Sequence, residues 1–156
     1  MKYFLVAIFS SVLLVGCLKN DDPAPCTAKT LQSEMPTMTK YATDSSITTT
    51  ADPSGLLYQI VEPGTGATPS VQSKITVNYS GRRMDGVEFD KSFTGDQSFV
   101  LNSVIDAWKI ALPKIKEGGK IKFITPSVLA YSCNPFVPTA LNNQPLYFYV
   151  ELLSVQ

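Results

Sequence analysis

From Ser54 onward, apolar residues recur with two different periods, and this restricts what the chain can fold into. The segment 74–80 alternates between polar and apolar residues and places Ile75, Val77 and Tyr79 on one face, which is typical of a half-buried β-strand. Similar short segments that we predict to be strands are 57–61, 87–89, 99–101, 120–124 and 146–153. Only one stretch of this region has a helical period. We therefore predict an α+β domain in which an antiparallel sheet wraps around one short α-helix.

The predicted helix contains Trp108, the single tryptophan of the chain. Its apolar residues at helical spacing are Val104, Ile105, Trp108, Leu112 and Ile115. Ser103 is the candidate N-cap, and Pro113 is expected to end the helix or disturb its last turn. Two interpretations of Trp108 stay open at this point. It either packs in the core or lines an aromatic pocket that holds a single carboxylate. The residues that would share this pocket are Tyr79, Phe89, Asp90, Tyr131 and Phe148.

The N-terminal residues have the pattern of a targeting segment. Lys2 supplies a positive start, and the apolar run 3–15 is shorter than the roughly 20 residues that a membrane-spanning helix needs. The run ends in Leu14-Val15-Gly16-Cys17, which resembles the bacterial lipobox. We therefore predict a lipoprotein signal peptide over residues 1–16 and lipidation of Cys17, which would hold the protein on a membrane without spanning it.

The segment 17–53 is predicted to contain the lipidated cysteine, a solvated tether and a short helix. The tether corresponds to residues 18–25, and the helix to residues 29–42, where Met35, Met38 and Ala42 recur at helical spacing. We expect this helix to dock onto the main domain, which we place at residues 54–156.

Two cysteines remain once Cys17 is assigned to the anchor. Cys26 and Cys133 each lie alone in a polar, loop-like stretch, and disulfides persist in exported proteins. A disulfide between Cys26 and Cys133 is one hypothesis, and two independent thiols are the other.

The composition excludes several classes of function. Lys and Arg total 13, as do Asp and Glu, so nothing favours nucleic-acid binding. The chain has no histidine, which removes His-dependent catalytic triads and makes a transition-metal site improbable. No phosphate-binding glycine motif is present. We expect neither a metal nor a cofactor, and a monomer is the default expectation.

Five short motifs in order resemble the FKBP-type peptidyl-prolyl cis-trans isomerases across about residues 54–156. They are Val77-x-Tyr79-x-Gly81, Asp85-Gly86-x-x-Phe89-Asp90-x-Ser92, Val104-Ile105-x-x-Trp108, Pro126-x-x-Leu129-Ala130-Tyr131 and Val150-Glu151-Leu152-Leu153. The leader and tether resemble those of bacterial lipoprotein members. The resemblance implies a bent antiparallel sheet around the Trp108 helix and a prolyl isomerase that helps exported proteins to fold in the cell envelope. It would be anchored on the periplasmic or cell-surface face of a membrane, and its partners would be proline-containing polypeptides.

The resemblance also implies a role for each pocket residue. The proline ring would rest on Trp108, Tyr131 would donate a hydrogen bond to the substrate carbonyl, and the Ile105 backbone amide would act similarly. Asp90 would lie at the pocket edge; the alternative for an aspartate just after a strand is that it caps a turn. The apolar walls would be Tyr79, Phe89, Val104, Ile105 and Phe148.

The chain departs from the family pattern at three places. Ala107 and Ser132 stand where the family usually has glycine, and residues 133–144 are not the usual loop. We expect the change at Ala107 to be tolerated. The alternative function is a non-catalytic binding module or chaperone that keeps the pocket and has lost turnover through its altered 132–144 loop.

Overall fold

A computed structural model describes residues 26–156. The predicted signal peptide, lipidated Cys17 and tether lie outside the described residues. Within 26–156, six antiparallel strands form one sheet in the order β1-β2-β5-β6-β3-β4. The strands are β1 (Thr50–Ala51), β2 (Leu57–Glu62), β3 (Lys74–Arg83), β4 (Glu88–Val100), β5 (Lys120–Thr125) and β6 (Leu146–Val155). The helices are α1 (Leu31–Asp44) and α2 (Asp106–Ala111), with 3-10 turns at Leu101–Ser103, Leu112–Lys114, Ser127–Leu129 and Thr139–Leu141.

The main core lies between α2 and one face of the sheet. Ile75, Val77 and Tyr79 are all buried on this face, as the alternation in β3 predicts. From α2, Ala107 and Trp108 enter the same cluster. The prediction of an antiparallel sheet around a short helix is therefore confirmed.

The other face of the sheet is partly covered by α1. Met38 and Ala42 of α1 form a second cluster with Leu57 of β2, Ile124 of β5 and Tyr147 of β6. The expectation that the N-terminal helix docks onto the main domain is confirmed. Because α1 covers β5, Ile124 is fully buried even though its neighbour Phe123 faces the main core.

The start of the Trp108 helix differs from the prediction. Val104 is extended, Ile105 is non-helical with φ −59° and ψ 152°, and α2 begins only at Asp106. Ser103 does not cap α2, because its hydroxyl donates a hydrogen bond to the Val100 carbonyl at 2.7 Å. Helical spacing gave a wrong prediction here, because two non-helical residues that lead into a helix can place their apolar side chains against the same core as the helix. The prediction for Pro113 is confirmed, because α2 ends at Ala111 and the proline lies in the following 3-10 turn.

The region between residues 87 and 101 also differs from the prediction of two short strands. It forms one long strand, β4, whose register against β3 shifts between the pairs Val77–Gln97 and Tyr79–Ser92. Residues 93–96 thus stand opposite Asn78 alone. A bulge of this kind bends a strand, and it lies beside the pocket residue Tyr79.

The first described residues are attached to the loop that follows Ser127–Leu129. Cys26 and Cys133 are joined by a disulfide with a Cα–Cα distance of 5.7 Å. Beside it, the Asn143 side chain accepts a hydrogen bond from the Lys29 amide at 3.0 Å and donates one to the Thr27 carbonyl at 2.7 Å. Within residues 26–156, no helix is long and apolar enough to cross a membrane.

We predict that the variant Cys26→Ser/Cys133→Ser is less stable than the wild-type protein. The bond closes a loop with a sequence separation of 107, so its loss is expected to lower the free energy of unfolding by roughly 4 kcal/mol. Urea unfolding measures the difference, and reduction of the wild-type protein should reproduce it. An unchanged urea midpoint in both comparisons would show that the disulfide does not stabilise the fold.

Candidate active site

A cavity of about 260 Å³ opens between the start of α2 and the curved face of the sheet. Its lining residues are Tyr79, Asp90, Phe99, Ser103, Val104, Ile105, Trp108, Tyr131 and Phe148. The structure thus brings together every residue predicted for the pocket except Phe89. The volume lies at or below the lower end of the roughly 300–1,000 Å³ that drug-sized ligands occupy, so it suits a single ring with adjoining backbone.

Trp108 lies at the base of the cavity and is held by three aromatic rings. Tyr79, Phe99 and Phe148 meet it edge-on, with ring centroids 5.3, 6.1 and 5.8 Å away and interplanar angles of 80°, 81° and 83°. Such edge-to-face contacts are the favoured arrangement of aromatic pairs. Only 4% of Trp108 is exposed, so the side chain packs in the core and also lines the cavity. The two interpretations of Trp108 are therefore compatible.

Phe89 is the one predicted wall residue that is not among the lining residues of the cavity. Its ring contacts the lining residue Phe148 edge-on, with centroids 5.8 Å apart. Gly81 on the neighbouring strand makes this contact possible, because a Cβ there would lie 2.8 Å from Cζ of Phe89 and 2.9 Å from Cε1 of Phe148. The missing side chain leaves the space that both rings fill, so Phe89 supports the wall through Phe148.

Asp90 is oriented by a hydrogen bond from within the cavity. The Tyr79 hydroxyl donates to Oδ2 of Asp90 at 2.8 Å. Burial, followed by this hydrogen bond, raises the pKa of Tyr79 well above its usual value. Burial also raises the pKa of Tyr131, and the negative charge of Asp90 adds to the effect. Both phenols therefore stay protonated at neutral pH, so each hydroxyl is able to donate a hydrogen bond.

Two donors at the cavity are left without acceptors among residues 26–156. One is the Tyr131 hydroxyl, which lines the cavity and makes no hydrogen bond within the described residues. The other is the backbone N–H of Ile105, the non-helical residue immediately before α2. A ligand carbonyl could accept from either group. The arrangement thus combines an apolar floor with polar donors at its edge.

Sequence reasoning missed Phe99 and Ser103 as lining residues. The sequence predicts Phe99 only as part of a short strand, and its contact with Trp108 depends on the register shift in β4. The sequence predicts Ser103 as the N-cap of α2, but the later start of that helix leaves Ser103 at the cavity. The residue pattern of neither segment indicates that Phe99 or Ser103 would line the cavity.

Comparison with known proteins gives the family. Residues 66–153 match the model of the FKBP-type peptidyl-prolyl cis-trans isomerase family. The chain is 43% identical over 119 residues to the FKBP-type peptidyl-prolyl cis-trans isomerase FkpA of Escherichia coli strain K12, a match that covers 75% of this chain and 43% of FkpA. The chain belongs to the FKBP-type peptidyl-prolyl cis-trans isomerase family. It spans less than half the length of that relative.

Solved structures support the same fold. The crystal structure of Escherichia coli FkpA superposes with a TM-score of 0.68 at 36% identity, covering 81% of this chain and 62% of that one. A peptidyl-prolyl cis-trans isomerase from Pseudomonas syringae superposes with a TM-score of 0.67 at 29% identity, covering 83% of this chain and 98% of that one. The FKBP-like α+β fold is therefore confirmed.

We predict that Gly81→Ala both destabilises the fold and distorts the cavity. The new methyl group would displace the rings of Phe89 and Phe148, and such overpacking costs about 1–3 kcal/mol. Thermal unfolding and the near-ultraviolet circular dichroism of the aromatic rings measure the two effects. The variant Gly81→Ala/Phe89→Leu should recover part of the stability, because it removes one of the two clashing rings. Wild-type stability of Gly81→Ala would contradict the proposed packing.

Proposed function

We propose that this protein is a peptidyl-prolyl cis-trans isomerase that acts on proline-containing polypeptides without a covalent intermediate. The observation that supports this most directly is the cavity itself. It has Trp108 at its base, and at its edge are two donors, the Tyr131 hydroxyl and the Ile105 N–H, that no protein group satisfies among the described residues. Family membership points to the same activity.

The chemistry of the reaction fits an apolar cavity. Rotation about an X–Pro bond meets a barrier of about 18–20 kcal/mol, because the planar amide loses its resonance. The twisted amide at the top of this barrier is less dipolar than either planar isomer. An apolar site therefore disfavours the planar ground states more than the transition state, which lowers the barrier. No nucleophile is needed, in keeping with a chain that has no histidine.

We assign the pocket residues the following roles in this reaction. The proline ring packs on Trp108, between walls formed by Val104, Phe148 and the ring of Tyr79. The Tyr131 hydroxyl and the Ile105 N–H donate hydrogen bonds to carbonyl oxygens of the substrate. Asp90, which the Tyr79 hydroxyl orients, lies at the rim beside the amide that rotates. Phe89 supports this wall through its edge-on contact with Phe148.

We further propose that the isomerase domain, residues 54–156, is held in the bacterial cell envelope by lipid chains on Cys17, after removal of residues 1–16. The lipobox-like Leu14-Val15-Gly16-Cys17 supports this proposal. The Cys26–Cys133 disulfide fits it as well, because such bonds persist in oxidising compartments. Slow prolyl isomerisation limits the folding of many exported chains, which gives the enzyme substrates there. The monomeric state stays a prediction.

We predict that the full-length protein, purified in detergent, accelerates isomerisation of a proline tetrapeptide, and that Tyr131→Phe lowers kcat/KM. The loss of one neutral hydrogen bond, about 0.5–1.5 kcal/mol, corresponds to a fall of up to roughly tenfold. A protease-free isomerisation assay measures the rates. Tyr149→Phe is the matched control, since it removes a hydroxyl that bonds Glu151 outside the cavity and should leave kcat/KM unchanged.

The isomerisation assay, combined with a binding measurement, separates an isomerase from a non-catalytic binding module. Binding of the peptide can be followed by the fluorescence of Trp108, the only tryptophan. Binding without turnover above the uncatalysed rate would show that the protein is a non-catalytic module or chaperone. Equal loss of activity in Tyr131→Phe and Tyr149→Phe would contradict the role given to Tyr131.

We predict that Cys17→Ser abolishes incorporation of labelled fatty acid and moves the protein from the membrane to the soluble fraction. A lipidated cysteine of this kind carries more than one fatty chain. Stable membrane anchoring needs more than one such chain, because a single chain binds a membrane only reversibly. Cys26→Ser/Cys133→Ser, which removes the other two cysteines and leaves no unpaired thiol besides Cys17, is the control and should remain labelled and in the membrane. Retention of labelled Cys17→Ser in the membrane would rule out this residue as the anchor.

A further inference from the structure

The α1 helix places a carboxylate where its pattern calls for an apolar residue. Glu34 precedes Met38 and Ala42 by one and two turns on the helix face that packs against the domain, and only 2% of Glu34 is exposed. Burying a carboxylic acid is costly unless hydrogen bonds compensate. The presence of Glu34 on this face therefore indicates a nearby hydrogen-bond donor, which an apolar side chain could not satisfy.

That partner is the backbone of Ser127. Oε2 of Glu34 accepts a hydrogen bond from the Ser127 N–H at 2.8 Å, across a sequence separation of 93. Ser127 is fully buried and begins a 3-10 turn whose preceding residue, Pro126, provides no side-chain cap. The first N–H groups of a helical turn have no partner within the turn. Glu34 thus caps the turn Ser127–Leu129 from a distant part of the chain.

The capped turn in turn fixes Tyr131. The Ser127 carbonyl accepts hydrogen bonds from the Ala130 N–H at 3.0 Å and the Ser132 N–H at 2.8 Å. These are the two amides that flank Tyr131 in the chain. Ser132 also has a φ of 44°, in the left-handed region that non-glycine residues rarely adopt. A strained turn of this kind needs support from its surroundings, and Ser127 is where α1 supplies it.

We propose that Glu34 is a positioning residue for the isomerase site. Through Ser127 it holds the turn 127–132 so that the Tyr131 hydroxyl lies at the cavity. The N-terminal helix is therefore part of the active-site support as well as a link to the N-terminus. This proposal rests on the isomerase activity proposed above.

The test uses Glu34→Met and Glu34→Gln in the full-length protein. Methionine is apolar and of similar size and leaves the Ser127 N–H without an acceptor, whereas glutamine keeps an acceptor oxygen. We expect Glu34→Met to lower kcat/KM by up to about tenfold, the effect of losing the Tyr131 hydrogen bond, and Glu34→Gln to stay within about twofold of the wild type.

A purely structural role is separated by repeating both substitutions in the Tyr131→Phe background. If Glu34 acts through the Tyr131 hydroxyl, Glu34→Met lowers kcat/KM no further in a protein that lacks this hydroxyl. An equal fall in both backgrounds, or wild-type activity of Glu34→Met, would overturn the proposal. Should Glu34→Met fail to fold, Glu34→Asp carries the same comparison, because its shorter side chain keeps the carboxylate and loses reach.

A failure of the proposed isomerase activity can be distinguished experimentally from a failure of the proposed role of Glu34. If the wild-type protein binds the proline peptide without turnover, the isomerase proposal is wrong, and the same variants are compared by their Kd from Trp108 fluorescence. Weaker binding by Glu34→Met than by Glu34→Gln, confined to the Tyr131 background, would still support positioning by Glu34. Equal Kd values for the two variants would refute it.

Discussion

The packing of Trp108 against the curved face of the sheet is the contact on which the site depends. α2 spans only Asp106–Ala111, and an isolated helix of that length is not stable in water. It persists because Trp108, Ala107 and Ala111 are buried against the sheet and because three aromatic rings meet the indole edge-on. The same rings form the cavity walls, so the core and the site share their side chains.

The rest of the site depends on support from outside the cavity. Phe89 packs over Gly81 and against Phe148, while the Tyr79 hydroxyl holds Asp90. On the far side of the sheet, Glu34 of α1 contacts the turn that precedes Tyr131. A substitution at Gly81 or on α1 can therefore change the cavity without touching its lining. This is the general behaviour of sites whose side chains are fixed by surrounding contacts.

Much of the fold was predictable because its signals are local. Alternation in β3 marked its buried face, and Pro113 marked the end of α2. Helical spacing failed at Val104 and Ile105, because a period identifies which residues are buried and does not identify their backbone conformation. The sequence also does not predict the bulge opposite Asn78, and the contact of Phe99 with Trp108 depends on that bulge.

Side-chain period predicts the α+β class, and the resemblance of five ordered motifs predicts the family and most of the residues that line the cavity. Three features emerge only from the folded chain: the contact of Phe89 with Phe148, the entry of Phe99 and Ser103 into the cavity lining, and the capping of Ser127 by Glu34. Each of these depends on strand register, a missing side chain or a contact between distant segments, and such relations are set only when the whole chain packs together.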